Sequence, residues 1–418
     1  MQLQDIGKLL GLQGVRVVKI SHESSQAIIH IEPLVTNQFC PCCQSAAIIK
    51  NGKDGHRRIT HLRIAETQCI LLALCQRLKC KTCTATFVHS YSFVTGKERY
   101  TAAYKRQIYK LSIGSTVQHS SEVTDTPYTT AERFFKEAVL RIAPMTTAAA
   151  QKMASDSAKL ILGIDDFAIR KGHNYNTGIH DLRGESLLGV AKGRTLAELC
   201  EYMEDNPQLA ALQPFAVVMD LARSYHTFTT KFFPNAIRVA DRFHVNGYIM
   251  DALNEVRRRV GKNLPPQART VLKRNKHLLN KRNDSICETD KKQLESLLAY
   301  SDDLRAVYEL KEMLTDWYDL SANHSSALIG YQRWLDKGHS LNIPEVDTAL
   351  KTFCNWRVEI CNYHLCRFTN GIVEGRNAKI KSLQRRRFFL RNRTFYEALI
   401  SIECNMEIAS NEFRRIVA

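Results

Sequence analysis

Leu160-Ile161-Leu162-Gly163-Ile164-Asp165-Asp166 is a short apolar run that stops at two consecutive carboxylates. A run this short, bounded this sharply, reads as a buried strand. Working outward from it, Tyr175 to Asp181 and Ser186 to Ala191 form a hairpin across Leu182-Arg183-Gly184-Glu185. An amphipathic helix follows from Thr195. Phe215 to Met219 is another buried strand, ending at Asp220; Ser224 to Phe233 is a helix, and Ala236 to Ala240 is a strand ending at Asp241.

The order of three strands, helix, strand, helix, strand predicts a ribonuclease-H-like α/β sheet in which the first and fourth strands are neighbours. Asp165 and Asp220 then project side by side from their strand ends. Two such carboxylates repel unless cations lie between them, and two Mg²⁺ ions about 4 Å apart are what an in-line phosphoryl displacement needs. Mn²⁺ can substitute. A third carboxylate should arrive from a late helix. Glu374 fits, because Asn370-Gly371-Ile372-Val373-Glu374-Gly375-Arg376-Asn377 opens a helix in which Arg376, Lys379 and Lys381 are placed to meet phosphates. Asp166 is the neighbouring alternative to Asp165. Asp241 and His244 are read either as ancillary groups of this site or as structural residues.

Towards the N-terminus, Cys40-Pro41-Cys42-Cys43 and Cys80-Lys81-Thr82-Cys83 form two cysteine pairs separated by two apolar strands, Ile59 to Ile64 and Ile70 to Leu78. Thiolates with two residues between them occupy two positions of one tetrahedral Zn²⁺, and a second pair closes the site. The ligands are assigned to Cys40, Cys43, Cys80 and Cys83, with Cys42 as a register alternative. Val15 to Ile20 and Ala27 to Ile31 read as strands of a small antiparallel sheet. From about Lys97 the pattern turns helical, with Tyr104, Ile108 and Leu111 on one face, a second short helix after Thr116, and a third capped by Thr129 or Thr130. That is a helix-turn-helix outline.

The chain has 418 residues, enough for two to four domains, and a formal net charge of +17 with a pI near 9.3, which favours a polyanionic partner such as double-stranded DNA. Lys171, His173, Arg257-Arg258-Arg259, Arg385-Arg386-Arg387, Arg391 and Arg393 are further candidate phosphate contacts. The apolar runs are far shorter than the roughly 20 residues that span a bilayer, so no membrane association is expected. The sequence after Met1 lacks the features of a signal peptide, which predicts a cytoplasmic protein with reduced cysteines. Residues from about Val245 to Tyr363 are helical and highly charged and read as an all-helical insertion.

Three stretches together resemble the signatures of ISL-type insertion-sequence transposases: Ile161 to His173, Val239-Ala240-Asp241-Arg242-Phe243-His244, and Asn370 to Gly375, joined by the ribbon pattern Arg77 to Phe87. The resemblance covers nearly the whole chain. It implies a bacterial DDE enzyme with an N-terminal zinc ribbon and helix-turn-helix, whose catalytic triad falls on Asp165, Asp220 and Glu374. The expected layout is ribbon over 1–92, helix-turn-helix over 93–150, catalytic core over 151–245, helical insertion over 246–365, and the last part of the core over 366–418. Such an enzyme would bind terminal inverted repeats and target DNA near the nucleoid, cleave and join strands, and act as a homo-oligomer because two ends must be paired. The rival reading is a zinc-ribbon repressor carrying an inactive nuclease-like domain.

Overall fold

The computed structural model describes residues 3–417 except 24, 35–37, 171–173, 388, 389 and 391. The chain forms two compact units, Met1–Arg141 and Ile142–Ala418. Among the described residues, no helix is long and apolar enough to cross a membrane.

The first unit opens with a helix, α1 (Leu3–Leu9), where only strands were expected; Ile6, Leu9 and Leu10 recur at helical spacing. Strands β1 (Val15–Glu23), β2 (Gln26–Pro33), β3 (Ile48–Ile64), β4 (Thr67–Cys80) and β5 (Thr86–Val88) follow, in the order β1-β2-β4-β3 with β5 on the free end of β4. The sheet is mixed rather than antiparallel, since β2 and β4 run parallel from Gln26↔Gln68 to Ile31↔Ala73. The reason lies in burial: β4 is apolar on both faces through Cys69–Leu74 and takes the centre, whereas β3 is exposed over its first half and takes an edge.

Three helices follow: α2 (Ala102–Ser112), α3 (Val117–Thr124) and α4 (Tyr128–Ser155), the last running past Arg141 into the second unit. Thr101 and Thr116 cap the first two through their side-chain oxygens. Tyr104 donates to the Thr124 carbonyl at 3.0 Å and Ser112 to Ser120 at 2.8 Å, fixing α2 against α3. The buried face of α2 is Tyr104, Ile108, Tyr109 and Ser112; Leu111 lies at its margin. Helix α4 starts directly after Pro127, so Thr129 and Thr130 sit in its first turn rather than capping it, and it continues through Pro144.

The second unit is built on strands β6 (Ile161–Arg170), β7 (Asn174–Asp181), β8 (Ser186–Lys192), β9 (Ala216–Met219) and β10 (Ile237–Ala240), ordered β10-β9-β6-β7-β8. Strands β6, β7 and β8 are antiparallel, and β9 and β10 run parallel to β6. Helices α5 (Leu196–Asp205), α6 (Pro207–Ala210) and α7 (Arg223–Phe232) connect them. Beyond β10 the chain is helical: α8 (Arg242–Lys262), α9 (Pro266–Arg274), α10 (Lys276–Asn280), α11 (Glu288–Leu298), α12 (Asp302–Leu320), α13 (His324–Ser340), α14 (Pro344–Asn355), α15 (Arg357–Cys361), α16 (Tyr363–Cys366), α17 (Gly371–Arg386), α18 (Arg393–Cys404) and α19 (Met406–Val417).

Side-chain alternation along the strands sorts the core into two layers. Ile161, Ala216, Val218 and Val239 join one cluster with α8, α12, α13 and α14, so the helical stretch after β10 shares the sheet's core. Leu162, Ile164, Val217 and Met219 pack on the other face with α5 and α7. Asn405 donates to and accepts from the backbone of Leu187, covering the β8 edge.

Candidate active site

Strand β6 does not stop at the acids but runs on to Arg170. Its parallel neighbour β9 ends earlier, at the pair Ile164↔Met219. Past that point β6 pairs, among the described residues, with β7 alone, and the freed edge is where Asp165 sits. Alternation turns Asp165 to the face of Ile161 and Gly163, and Asp220 to the face of Val218, so both acids project to one side. Asp166 points to the opposite face, where its Oδ2 accepts from Arg194 at 3.2 Å. Arg194 in turn stacks over Tyr175 at 4.0 Å.

Asp165, Asp220 and His244 bring ligand atoms within 4.8 Å of one another. His244 Nδ1 lies 2.8 Å from Asp220 Oδ1 and 3.1 Å from Asp241 Oδ2. Burial, with the neighbouring Asp220 carboxylate adding to it, pushes Asp165 up to about 7. Burial also raises Asp220, against the opposing pull of His244. The hydrogen bonds to Asp220 and Asp241 push His244 up to about 10. The cluster thus holds more negative charge than its surroundings solvate, and a protonated imidazole faces it.

Glu374 stands on the first turn of α17, half-buried and outside this close group. Burial and then the Asp241 carboxylate raise its pKa, with His244 lowering it and Asp220 contributing, so it lies within electrostatic reach of the acids. Two asparagines fix the helix that carries it. Asn370 donates its backbone N–H to Asp241 Oδ1 at 2.8 Å and its side-chain amide to the Ile164 carbonyl at 3.1 Å. Asn377 donates to Asp165 Oδ2 at 2.8 Å. Sequence reading passed over both asparagines; the available signal was an Asn opening a helix and another seven residues, two turns, later.

The basic candidates divide. Lys379 and Arg385 are exposed, as is Lys381. Arg376 is 9% exposed and turned inward, with Nη1 3.4 Å from His180 Nδ1. Arg386 grips Glu403 through two contacts of 2.5 and 2.6 Å, and Arg387, half-buried, closes α17. Arg259 is paired with Asp303 and Glu345, and Arg258 with Glu255. Arg393 bonds Asn176. Lys171, His173 and Arg391 lie outside the described residues.

In the first unit the four expected cysteines converge. Cys40 Sγ is 3.5 Å from Cys83 Sγ, and Cys43 Sγ is 3.6 Å from Cys80 Sγ. The two Cys-x-x-Cys turns repeat one geometry: Cys40 N–H bonds the Ser45 carbonyl and Cys80 N–H the Ala85 carbonyl, each at 2.9 Å. Gln44 and Thr84 both take φ near +60° in those turns. The backbone N–H groups of Cys83 and Thr82 hold the Cys80 thiol down to about 6. Cys42 is exposed and stands outside the group of four.

Residues 162–400, more than half of the chain, match the ISL3 family described as transposase. The chain belongs to this transposase family. Residues 36–83 match a second family, described as the zinc-finger of transposase IS204/IS1001/IS1096/IS1165, and span all four converging cysteines. The transposase for insertion sequence element IS1001 of Bordetella parapertussis is 25% identical over 376 residues, covering 88% of this chain and 89% of that protein. The transposase for insertion sequence element IS1557 of Mycobacterium tuberculosis is 26% identical over 254 residues, covering 55% of this chain and 57% of that protein. The transposase family match begins inside β6 and ends in α18, so it encloses every residue of the acid cluster and Glu374.

Proposed function

We propose that the chain cuts and joins DNA ends of an insertion sequence, with Asp165, Asp220 and Glu374 as the metal-binding triad of a ribonuclease-H-like core. The strand order β10-β9-β6-β7-β8, with its switch from antiparallel to parallel at β6, supports that core. The observation that carries the reading is the convergence of Asp165 and Asp220 on one face at the freed edge of β6, with α17 tied to the same strand by Asn370. The donor set suits hard divalent cations: carboxylate oxygens, raised pKa values, and His244 as the cationic contact that the described residues give Asp220.

Two Mg²⁺ ions, or Mn²⁺ in their place, would activate the attacking water or 3′-hydroxyl and stabilise the leaving oxygen. Asp165 and Asp220 would hold them, and Glu374 would complete the cage from α17. Asn377 keeps Asp165 turned towards the site through its hydrogen bond. His244, its Nδ1 hydrogen-bonded to Asp241 and 2.8 Å from Asp220, balances the charge of the acids. Water first frees a 3′-hydroxyl at the element end, and that hydroxyl then attacks target DNA in line. The protein supplies position and charge stabilisation, and no covalent link to it is required. The ribbon, with Zn²⁺ on Cys40, Cys43, Cys80 and Cys83, and the α2–α3 helix-turn-helix would recognise the terminal repeats, and paired ends call for a homo-oligomer.

The test is strand transfer by purified protein on labelled element-end duplex with Mg²⁺, comparing wild type with Glu374→Gln. Joined products lost in the variant while DNA binding persists are expected. Binding with no cleavage by wild type would overturn the reading in favour of a repressor.

A further inference from the structure

Beside the acids lies a groove of about 430 Å³ whose lining includes Asp220, Phe243, His244, Gly247, Tyr248 and Asp251. Positions 243, 244, 247, 248 and 251 fall on one side of α8, so a single helix supplies most of the wall. Two of its side chains are aromatic and remain open to solvent: Phe243 is 65% exposed and Tyr248 37%.

Phe243 is exposed without being loose. Before it, Arg242 is anchored to Asp319 at 2.7 Å and lies over the Tyr318 ring at 4.8 Å. After it, His244 is held by Asp220 and Asp241. The Phe243 ring meets the His244 ring edge-on, with centroids 5.7 Å apart and planes at 88°. A large apolar ring is therefore presented on a fixed backbone next to the acids. Among the described residues no Lys or Arg lines the groove, and Phe243, Tyr248 and Asp251 offer two rings and a carboxylate acceptor, which suits a flat aromatic ligand carrying N–H donors.

Resting on the transposition reading, we propose that this groove receives a nucleobase of the DNA end, unpaired from its complement and stacked on Phe243, with Asp251 placed to accept from an exocyclic amino group. Aromatic side chains take bases in this way because every base has a π-face. Chemistry at a strand end gains from it, since drawing one base aside lets the scissile phosphate approach the acids; the cost is the unpairing of that base. Asp220 and His244 belong to both the groove and the acid cluster, so the stacked base and the cleaved bond would be within a nucleotide or so of each other.

The experiment compares full-length wild type, Phe243→Ala and Phe243→Trp on two element-end duplexes, one fully paired and one mismatched at its terminal base pairs. On paired ends, Phe243→Ala should cleave on the order of ten- to a hundredfold more slowly, and Phe243→Trp should retain activity. Mismatched ends should restore Phe243→Ala, because unpairing no longer has to be driven by stacking. Equal activity on paired ends, or an equal loss on both duplexes, would overturn the proposal. Permanganate reactivity of terminal thymines in Ca²⁺, where no cleavage is needed, separates the two readings. Reactivity of a thymine left opposite the stacked base, present with wild type and absent with Phe243→Ala, supports the groove even if no strand is cut. Ends cut normally with no reactivity difference leave transposition intact and remove the groove's role.

Discussion

Asp241 Oδ1 accepts the backbone N–H of Asn370 at 2.8 Å. Its other oxygen, Oδ2, meets His244 Nδ1 at 3.1 Å. One fully buried carboxylate thereby ties the end of β10, the imidazole facing Asp220, and the start of the helix that carries Glu374.

Removing that tie should separate stability from chemistry. Asp241→Ala leaves the Asn370 N–H without its acceptor and His244 with Asp220 alone, which should cost about 1–3 kcal/mol and slow cleavage by roughly a hundredfold through misplacement of α17. Asp241→Asn keeps an oxygen for Asn370 but turns an amide NH₂ towards His244. It should recover most of the stability and little of the cleavage. Urea unfolding and strand cleavage measured on both variants check this; parallel losses in the two assays would contradict it.

Gly163 makes a second, steric demand. A Cβ there would lie 2.6 Å from Leu182 Cδ2 and 2.8 Å from Asn370 Oδ1, so α17 docks on β6 only because the side chain is absent. Gly163→Ala should destabilise by about 1–3 kcal/mol and impair cleavage. Around Gly375, beside Glu374 in α17, no atom of the described residues lies within 4 Å of where a Cβ would stand. Gly375→Ala should instead stabilise by roughly 0.5–1 kcal/mol, as expected for a helix interior. Opposite signs in thermal unfolding are the expected outcome, and a tolerated Gly163→Ala would refute the close-approach argument.

Much of this was legible because strands and metal-binding turns are local patterns. The apolar run before Asp165, the strand before Asp220 and the two cysteine pairs each announce themselves within a few residues. What the sequence hid was non-local. Nothing near Asp165 shows that β9 stops beside Ile164 and frees the strand edge, nor that α17 returns two asparagines to it. Arg376 and Arg386 read as solvent-facing cations because charge is usually exposed; their partners, His180 and Glu403, lie far along the chain or on another helix. The parallel pairing of β2 with β4 was likewise invisible, since it depends on β4 claiming the centre of the sheet after β3 has been passed.

Metal removal tests the first unit. The four thiols stand in two close pairs on two matching turns, and binding energy for structural Zn²⁺ is folding energy. Chelation should release one equivalent of zinc per chain, with loss of element-end binding. Cys80→Ser should bind less than one equivalent, while Cys42→Ser should bind the full amount because Cys42 lies outside the cluster. Because thiolates are the ligands, zinc should also be lost more readily as pH falls. Zinc content by atomic emission decides the matter, and an unchanged zinc content in Cys80→Ser would count against the assignment.

His180 sets a pH dependence of stability in the second unit. It is fully buried on β7, and burial, with Arg376 adding, pushes it down to about 3. Arg376 Nη1 faces its Nδ1 at 3.4 Å, an arrangement that needs a neutral ring. Unfolded, the imidazole titrates near 6.5, so between about 6.5 and 3 the unfolded chain holds a proton that the native state does not. The stability this confers is complete above that window and is lost as pH falls, at up to about 1.4 kcal/mol per pH unit. Between pH 6 and 4 wild type should therefore lose up to roughly 3 kcal/mol more than His180→Gln, whatever the carboxylates common to both proteins contribute. Urea unfolding of the pair across that range measures the difference, and parallel curves would show that His180 takes up its proton without unfolding the unit.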